Sequence, residues 1–216
     1  MRNRFDAQIK QLNNELIEMG ILIERAIENS VNALENMDKQ LANKAAALED
    51  SINNKEKEIE SLCLQLLLQQ QPVAKDLRQI SSALKMITDM ERIGDQASDI
   101  ADIVLAMPKV SNASQLKHIG NMASATSKMV KDSVDAFVKR DIALAQKVCD
   151  EDDNIDNMFL QVRSELLELI AHDKQSGELA LDLFMIAKYF ERIGDHAVNV
   201  AEWVAFSITG KHKSAN

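Results

Sequence analysis

Apolar residues recur along the first part of the chain in alternating steps of four and three. Phe5, Ile9, Leu12, Leu16, Met19, Ile23, Ala26, Ser30, Ala33 and Met37 form one such seam, the heptad signature of a long helix packed at a shallow angle on its neighbours. It predicts a helix over 5–36, roughly 30 residues and about 45 Å long. A second seam, Leu41, Ala45, Leu48, Ile52, Ile59, Leu62 and Leu66, predicts a helix over 39–69, with Asp38 placed to accept its orphan amide hydrogen bonds. Pro72 suits the first turn of a third helix that runs to about Ala106. Pro108 to Ser114 reads as a short polar linker. The plan then repeats, with a fourth helix over 115–139 and a fifth from an Asp141 cap to about His172. A turn at Lys174–Gly177 leads to a sixth helix over 178–208, and the basic tail from Gly210 is expected to fray.

The repetition is literal in places. Glu91-Arg92-Ile93-Gly94-Asp95 returns as Glu191-Arg192-Ile193-Gly194-Asp195, and the apolar flanks return with it. Upstream, Glu49-Asp50-Ser51-Ile52-Asn53 answers Asp152-Asp153-Asn154-Ile155-Asp156. The offset there is larger, which places extra residues of the first copy at the Gln69–Pro72 turn. So long a period is no solenoid; it indicates two copies of one small domain. Short connections make consecutive helices antiparallel. The expected fold is all-α, two tandem antiparallel three-helix bundles, one over 1–108 and the other over 109–216.

Composition agrees with that picture. The chain has 216 residues, 46% hydrophobic and 27% charged, with two prolines and six glycines. Each half is long enough for its own core. A formal net charge of -9 argues against nucleic-acid binding, and repels small anions unless a cation intervenes. Cys63 and Cys149 lie far apart, in neither a metal-ligand nor a disulfide spacing, and read as buried reduced thiols. The N-terminus lacks the apolar run of a signal peptide and no stretch is long enough to span a bilayer, so a cytoplasmic location is expected. No phosphate-binding glycine loop and no Ser-His-Asp grouping is present.

The acidic residues carry the chemistry. Residues four apart on a helix point the same way, so Glu91 and Asp95 share a face that Asp99 and Asp102 continue, opposite the apolar Met86, Ile93, Ala97, Ile100 and Val104. The second copy sets Glu191, Asp195, Asn199 and Glu202 in the same register. Asp152 and Asp156 form a further pair, with Glu49 and Asn53 as its counterpart. A solvated face is the ordinary explanation of one acidic pair, but three features weigh against it here. Like charges at this spacing destabilise a helix, and no lysine lies between them. The stripe recurs in both copies. Gly94 and Gly194 sit mid-helix, where glycine costs roughly 1 kcal/mol relative to alanine, and such a glycine usually admits a close neighbour. If that neighbour is the second or fifth helix, the two acidic pairs meet. Carboxylates converging from two helices call for a cation, and oxygen-only ligands suit magnesium, manganese, iron or calcium. Of the histidines, His196 departs from the repeat (Gln96) and is a weaker ligand candidate, while His118, His172 and His212 read as isolated and exposed.

Taken together, Gln71-Pro72-Val73-Ala74-Lys75-Asp76-Leu77-Arg78, then Asp89-Met90 before the first Glu-Arg-Ile-Gly-Asp, closely resemble the third-helix signature of the PhoU family. Residues 191–196 resemble its second repeat, and Asp152–Asp156 its second-helix acidic motif. The resemblance spans Phe5 to about Ile208. It implies two three-helix bundles and a non-enzymatic cytoplasmic accessory protein of the phosphate ABC transporter, which restrains phosphate uptake and phosphate-starvation signalling. The implied partners are the transporter and a sensor histidine kinase, with the membrane met only through them. It also implies metal ions (iron, manganese, magnesium or zinc) on Glu91/Asp95, Asp152/Asp156 and Glu191/Asp195. Asp99 extends the first stripe. Glu49 is followed by Asn53 where the family has an Asp, so that pair departs from the pattern. The long seams permit a homodimer. Two rivals stand beside this reading. A di-iron oxidase typically needs a Glu three residues before a His, and the residues there are Gln115, Leu169, Ile193 and Thr209. A metal-free helical spacer leaves the twin glycines unexplained.

Overall fold

A computed structural model describes residues 2–69, 73–107 and 116–211. Seven helices follow in order: α1 (Arg2–Asn36), α2 (Lys39–Gln69), α3 (Ala74–Ala106), α4 (Leu116–Lys139), α5 (Ile142–Asp150), α6 (Asp152–His172) and α7 (Gly177–Thr209). Among the described residues there is no strand. The seam predicted for α1 is its buried face: Leu12, Leu16, Met19, Ile23, Ala26, Ser30 and Ala33 are almost wholly enclosed, and Ile9 and Met37 pack at its margin. Residues 70–72 of the expected Gln69–Pro72 turn, the Pro108–Ser114 linker with the boundary between the halves, and His212 lie outside the described residues.

The α1–α2 and α4–α5 junctions are built alike. Met37 and Arg140 take left-handed backbones, φ 50° and 54°. The following amides turn back, Asp38 N–H donating to Ala33 O at 3.0 Å and Asp141 N–H to Ala136 O at 2.9 Å. This is a Schellman closure, which satisfies carbonyls the ending helix leaves open. The same aspartates open the next helix. Asp38 Oδ1 accepts from Gln40 N–H at 2.8 Å and Leu41 N–H at 3.2 Å, and Asp141 Oδ1 accepts from Leu144 N–H at 3.0 Å. Asp38→Ala and Asp141→Ala are each expected to cost about 1 kcal/mol. That lowers Tm by about 2–4 °C in a chain of this size; a thermal melt of each variant checks it.

The fifth helix expected from sequence is two. It breaks at Glu151, whose amide bonds both Lys147 O and Val148 O at 3.2 Å while its own carbonyl accepts from Asn154 N–H at 3.0 Å. This locally tightened turn needs neither glycine nor proline. The apolar face passes through it unbroken, from Ala145 and Val148 to Ile155 and Val162.

α1–α3 and α4–α7 form the two three-helix units, with α5 and α6 together standing for one helix. The units pack side by side, α3 on α7 and α1 on α4. Both contacts are antiparallel: Asp89 meets His196 while Asp99 meets Tyr189, and Gly20 lies against Val134 while Glu35 lies against Gly120. The buried residues of both units form one continuous core.

Candidate functional site

Each glycine of the repeated motif is where its helix touches a neighbour. A Cβ on Gly94 would stand 2.9 Å from Ile52 Cδ1 and 3.0 Å from Ile52 Cγ2; one on Gly194 would stand 3.4 Å from Ile155 Cγ2. α3 is thus pressed on α2, and α7 on α6, at the level of the acidic residues. Glu49 and Asn53 flank Ile52 as Asp152 and Asp156 flank Ile155.

On the α2–α3 face, burial pushes the Glu91 carboxyl above its ordinary range, and Asp95, Glu56 and Glu49 push it further against the opposing pull of Arg92. Glu56 is raised by its own burial, with Glu60 and Asp95 adding to it. Glu56 lies one heptad beyond Glu49, so extending the Glu49/Asn53 stripe by one more step would have found it. Asp99 is raised by burial, then by its acidic neighbours Asp95, Asp102 and Glu49, while a hydrogen bond from Tyr189 of α7 opposes the rise. The Asn53 side-chain oxygen is buried without a partner among the described residues.

On the α6–α7 face, burial raises Asp152, and Asp195, Asp156, Asp153 and Glu191 raise it further. Asp195 is raised by burial and then by Glu191, with Lys188 opposing. Asp156 is exposed at the rim. Both faces therefore unite acids from two helices, as the spacing anticipated. No lysine lies between the paired acids, as read from the sequence, but cations beside them do offset their charge. Arg92 Nη1 lies 3.1 Å from Asp95 Oδ2 and its Nε 3.5 Å from Glu91 Oε2. Lys188 Nζ lies 2.5 Å from both Glu191 carboxylate oxygens and sits 5.4 Å over the Phe159 ring. A lysine three residues before a glutamate reaches it across one helical turn.

The oxygen donors, their two-helix origin, their mutual elevation and the unpartnered Asn53 oxygen fit a hard cation in chemistry. Among the described residues, no three acidic, histidine or cysteine side chains already stand together as a coordination sphere. Arg92 and Lys188 supply the positive charge instead, and a metal ion would take over their carboxylates.

Between the two faces runs a polar seam. Asp89 Oδ1 accepts from Asn199 Nδ2 at 3.1 Å and pairs with His196 Nδ1 at 2.9 Å. Its counterpart under the repeat is Tyr189 with Asp99. Asn199, one charge short in the sequence pattern, is thus the donor that Asp89 requires, and His196 faces α3. His118 is neither isolated nor fully exposed: it pairs with Glu165 Oε2 at 2.8 Å, between α4 and α6. His172 is exposed as expected, its Nδ1 2.8 Å from Glu168 O. Cys63 is buried and free, its thiol pushed up to about 12 by burial; Cys149 is only partly buried.

The family model for the PhoU domain matches twice, over residues 16–104 and 119–204. The chain belongs to the PhoU family. It is 37% identical over 216 residues to the phosphate-specific transport system accessory protein PhoU homolog of Clostridium acetobutylicum, covering 100% of this chain and 99% of that one. It is 35% identical to PhoU homolog 1 of Thermotoga maritima, covering 96% and 90%. The crystal structure of PhoU from Pseudomonas aeruginosa superposes with a TM-score of 0.88 at 33% identity, covering 96% of this chain and all of that one. The Streptococcus pneumoniae PhoU structure gives 0.87 at 24% identity, a likeness of fold. The two PhoU matches correspond to the two helical units, and each ends in a Glu-Arg-Ile-Gly-Asp helix. No helix among the described residues is long and apolar enough to cross a membrane.

Proposed function

We infer that this PhoU-family chain is a non-catalytic regulator of phosphate uptake, an accessory of the phosphate-specific transport system that its relatives' names specify. Its two acidic faces take up metal ions, and the metal-loaded faces dock partners: the transporter, and a sensor histidine kinase where one serves the same pathway. One observation carries the reading. The same two-helix carboxylate arrangement is built twice, at the level of a glycine that brings the helices together. Bound metal would neutralise carboxylates that burial and mutual repulsion already hold above their ordinary range. Gly94 and Gly194 set the helix spacing, and Arg92 and Lys188 hold the charge until metal arrives. The Glu-x-x-His pairing typical of a di-iron oxidase does not occur at the described histidines, none of which has a glutamate three residues before it.

Elemental analysis of untagged protein purified without chelator tests this, beside Glu191→Ala with Asp195→Ala. The wild type is expected to carry stoichiometric metal, and the variant to lose the share held by the α6–α7 face. An unchanged stoichiometry in the variant removes the metal from this face. A metal-free wild type that cannot be loaded with iron, manganese or magnesium returns both faces to ion-paired surface.

A further inference from the structure

At one end of the molecule, four helices bring polar groups together that do not satisfy one another. Gly210, at the end of α7, lies against Arg78 of α3: a Cβ there would stand 3.4 Å from Arg78 Nε. Arg140, at the α4–α5 junction, reaches the next residue of α3, its Nη1 3.4 Å from Gln79 Oε1. The registers set by Gly20 against Val134 and by Ser30 against Ala97 bring Asn13 of α1 to the same level. Ser82 follows Arg78 by one turn on the same face of α3 and is fully buried. Arg78 Nε, Ser82 Oγ and Asn13 Oδ1 are each buried without a hydrogen-bond partner among the described residues.

The two arginines are the anomaly. Arg25, Arg92, Arg163 and Arg192 are exposed, whereas Arg78 and Arg140 are drawn half out of solvent. Neither has a carboxylate within ion-pair reach among the described residues, and a cation withdrawn from water calls for a counter-charge. Capping the end of α7 would favour a cation at Arg78, but its Nε bonds no carbonyl there, and a cap leaves Arg140 unexplained. The repeat supplies a control. The positions matching Arg78, Ser82 and Arg140 are Glu178, Asp182 and Met37, so the fold itself requires no cation at either place. Two guanidiniums, each a planar fork of donors, suit a doubly charged tetrahedral oxyanion. The Asn13 oxygen narrows the choice, because it is an acceptor in want of a donor. Hydrogen phosphate has a P–OH to offer it; sulfate and the dianion of a phosphate monoester have none. We propose that this end of the bundle binds free inorganic phosphate, held by Arg78 and Arg140, with the Ser82 hydroxyl donating from the floor and Asn13 Oδ1 accepting the P–OH. A net charge of -9 repels anions elsewhere; here the arginines supply the cation an anion needs. The site lies about 24 Å along α3 from Gly94, apart from the acidic faces, and requires no metal. It joins α3 of one repeat to α4 and α7 of the other, so bound phosphate braces the two units.

Calorimetric titration of the full chain with inorganic phosphate, in chelator and at constant ionic strength near neutral pH, tests it. Chelator removes any phosphate held through metal on the acidic faces, so the outcome is separate from that of the metal analysis. The wild type is expected to bind phosphate at least tenfold more tightly than sulfate or adenosine monophosphate, a margin typical of one buried hydrogen bond. Arg78→Met and Arg140→Met are each expected to weaken phosphate and sulfate alike, at least tenfold. Without phosphate both should melt no lower than the wild type, because each removes a cation that has no partner. Arg140→Lys, which keeps the charge and loses the fork, should fall between. Asn13→Leu should bind sulfate as the wild type does and lose the preference for phosphate. A wild type that takes up no phosphate in chelator overturns the proposal. So does phosphate binding that survives both methionine substitutions, or a site that holds sulfate or the monoester as tightly as phosphate.

Discussion

Gly94→Val is expected to destabilise the protein by at least about 3 kcal/mol, whereas Gly194→Ala is expected to be neutral or to stabilise it by up to about 1 kcal/mol. The repeat presents both as the same glycine; the packing separates them. At Gly94 the first added carbon already meets Ile52 at 2.9 and 3.0 Å, closer than side chains approach without displacement. Ile52 is fully buried, so its Cδ1 can swing aside only by crowding other core atoms, and its Cγ2 is fixed by the branch. Alanine at 94 gains about 1 kcal/mol of helix propensity but loses about 1–3 kcal/mol to overpacking, so it ranges from neutral to a net loss of about 2 kcal/mol. Valine adds two more carbons and pushes α2 from α3. At Gly194 the nearest atom is 3.4 Å away, so propensity decides the sign. Urea unfolding of both alanine variants and Gly94→Val gives the comparison. Adding Ile52→Val to Gly94→Ala removes the atom at 2.9 Å and should recover at least about 0.5 kcal/mol beyond additivity. Equal stabilities for Gly94→Ala and Gly194→Ala would show that Ile52 is not why residue 94 is glycine. Because Glu49 and Asn53 flank Ile52, Gly94→Val should also remove metal from the α2–α3 face and leave the α6–α7 face loaded.

Why was so much of this legible in a single sequence? Burial on a long helix obeys one period, which the α1 seam keeps throughout, with Ser30 its one polar member, and which the α2 seam skips only once, between Ile52 and Ile59, so a list of every third or fourth apolar residue is nearly a list of the core. The mid-helix glycines were legible for a related reason: a residue with a helix penalty draws attention to a close neighbour, which at Gly94 is Ile52, too near for a Cβ, and at Gly194 is Ile155, at ordinary contact distance. Features that depend on residues far apart were not legible. Nothing local to Asn199 indicates Asp89, and nothing local to Tyr189 indicates Asp99, because the partners meet only when α7 is laid antiparallel on α3. The break at Glu151 left no mark in the apolar pattern, since tightening one turn keeps Ala145, Val148 and Ile155 on one face. Lys188 is inconspicuous in the sequence. It precedes the acidic motif rather than lying within it, and its repeat partner is Thr88, which carries no charge to match.

Metal-free and metal-loaded protein are expected to respond to pH with opposite signs. Glu56, Glu91, Asp99, Asp152 and Asp195 have carboxyls raised above the ordinary values of 4.5 for Glu and 3.8 for Asp, burial being the first cause in each. A group raised on folding binds protons more readily in the folded state, so its protonation favours folding. Without metal, this contribution is present below the ordinary carboxyl range and is lost as pH rises through the raised values. Tm in chelator should therefore climb as pH falls through the raised values towards the ordinary carboxyl range. With metal the sign reverses, because the ligands must be ionised and protons compete with the ion. Metal at a hundredfold excess over its Kd contributes about 2.7 kcal/mol per site. Two faces together give about 5 kcal/mol, more than about 10 °C in a chain of this length. The loaded protein should thus melt well above the metal-free one near neutral pH, and the two curves should converge on acidification. Asp195→Asn separates the two effects, since it removes a charge that the metal-free fold disfavours and that the loaded site uses. It should raise Tm in chelator and lower it in manganese. Parallel pH profiles with and without metal, or an Asp195→Asn variant that shifts both melts the same way, would leave the acidic faces as ion-paired surface held by Arg92 and Lys188.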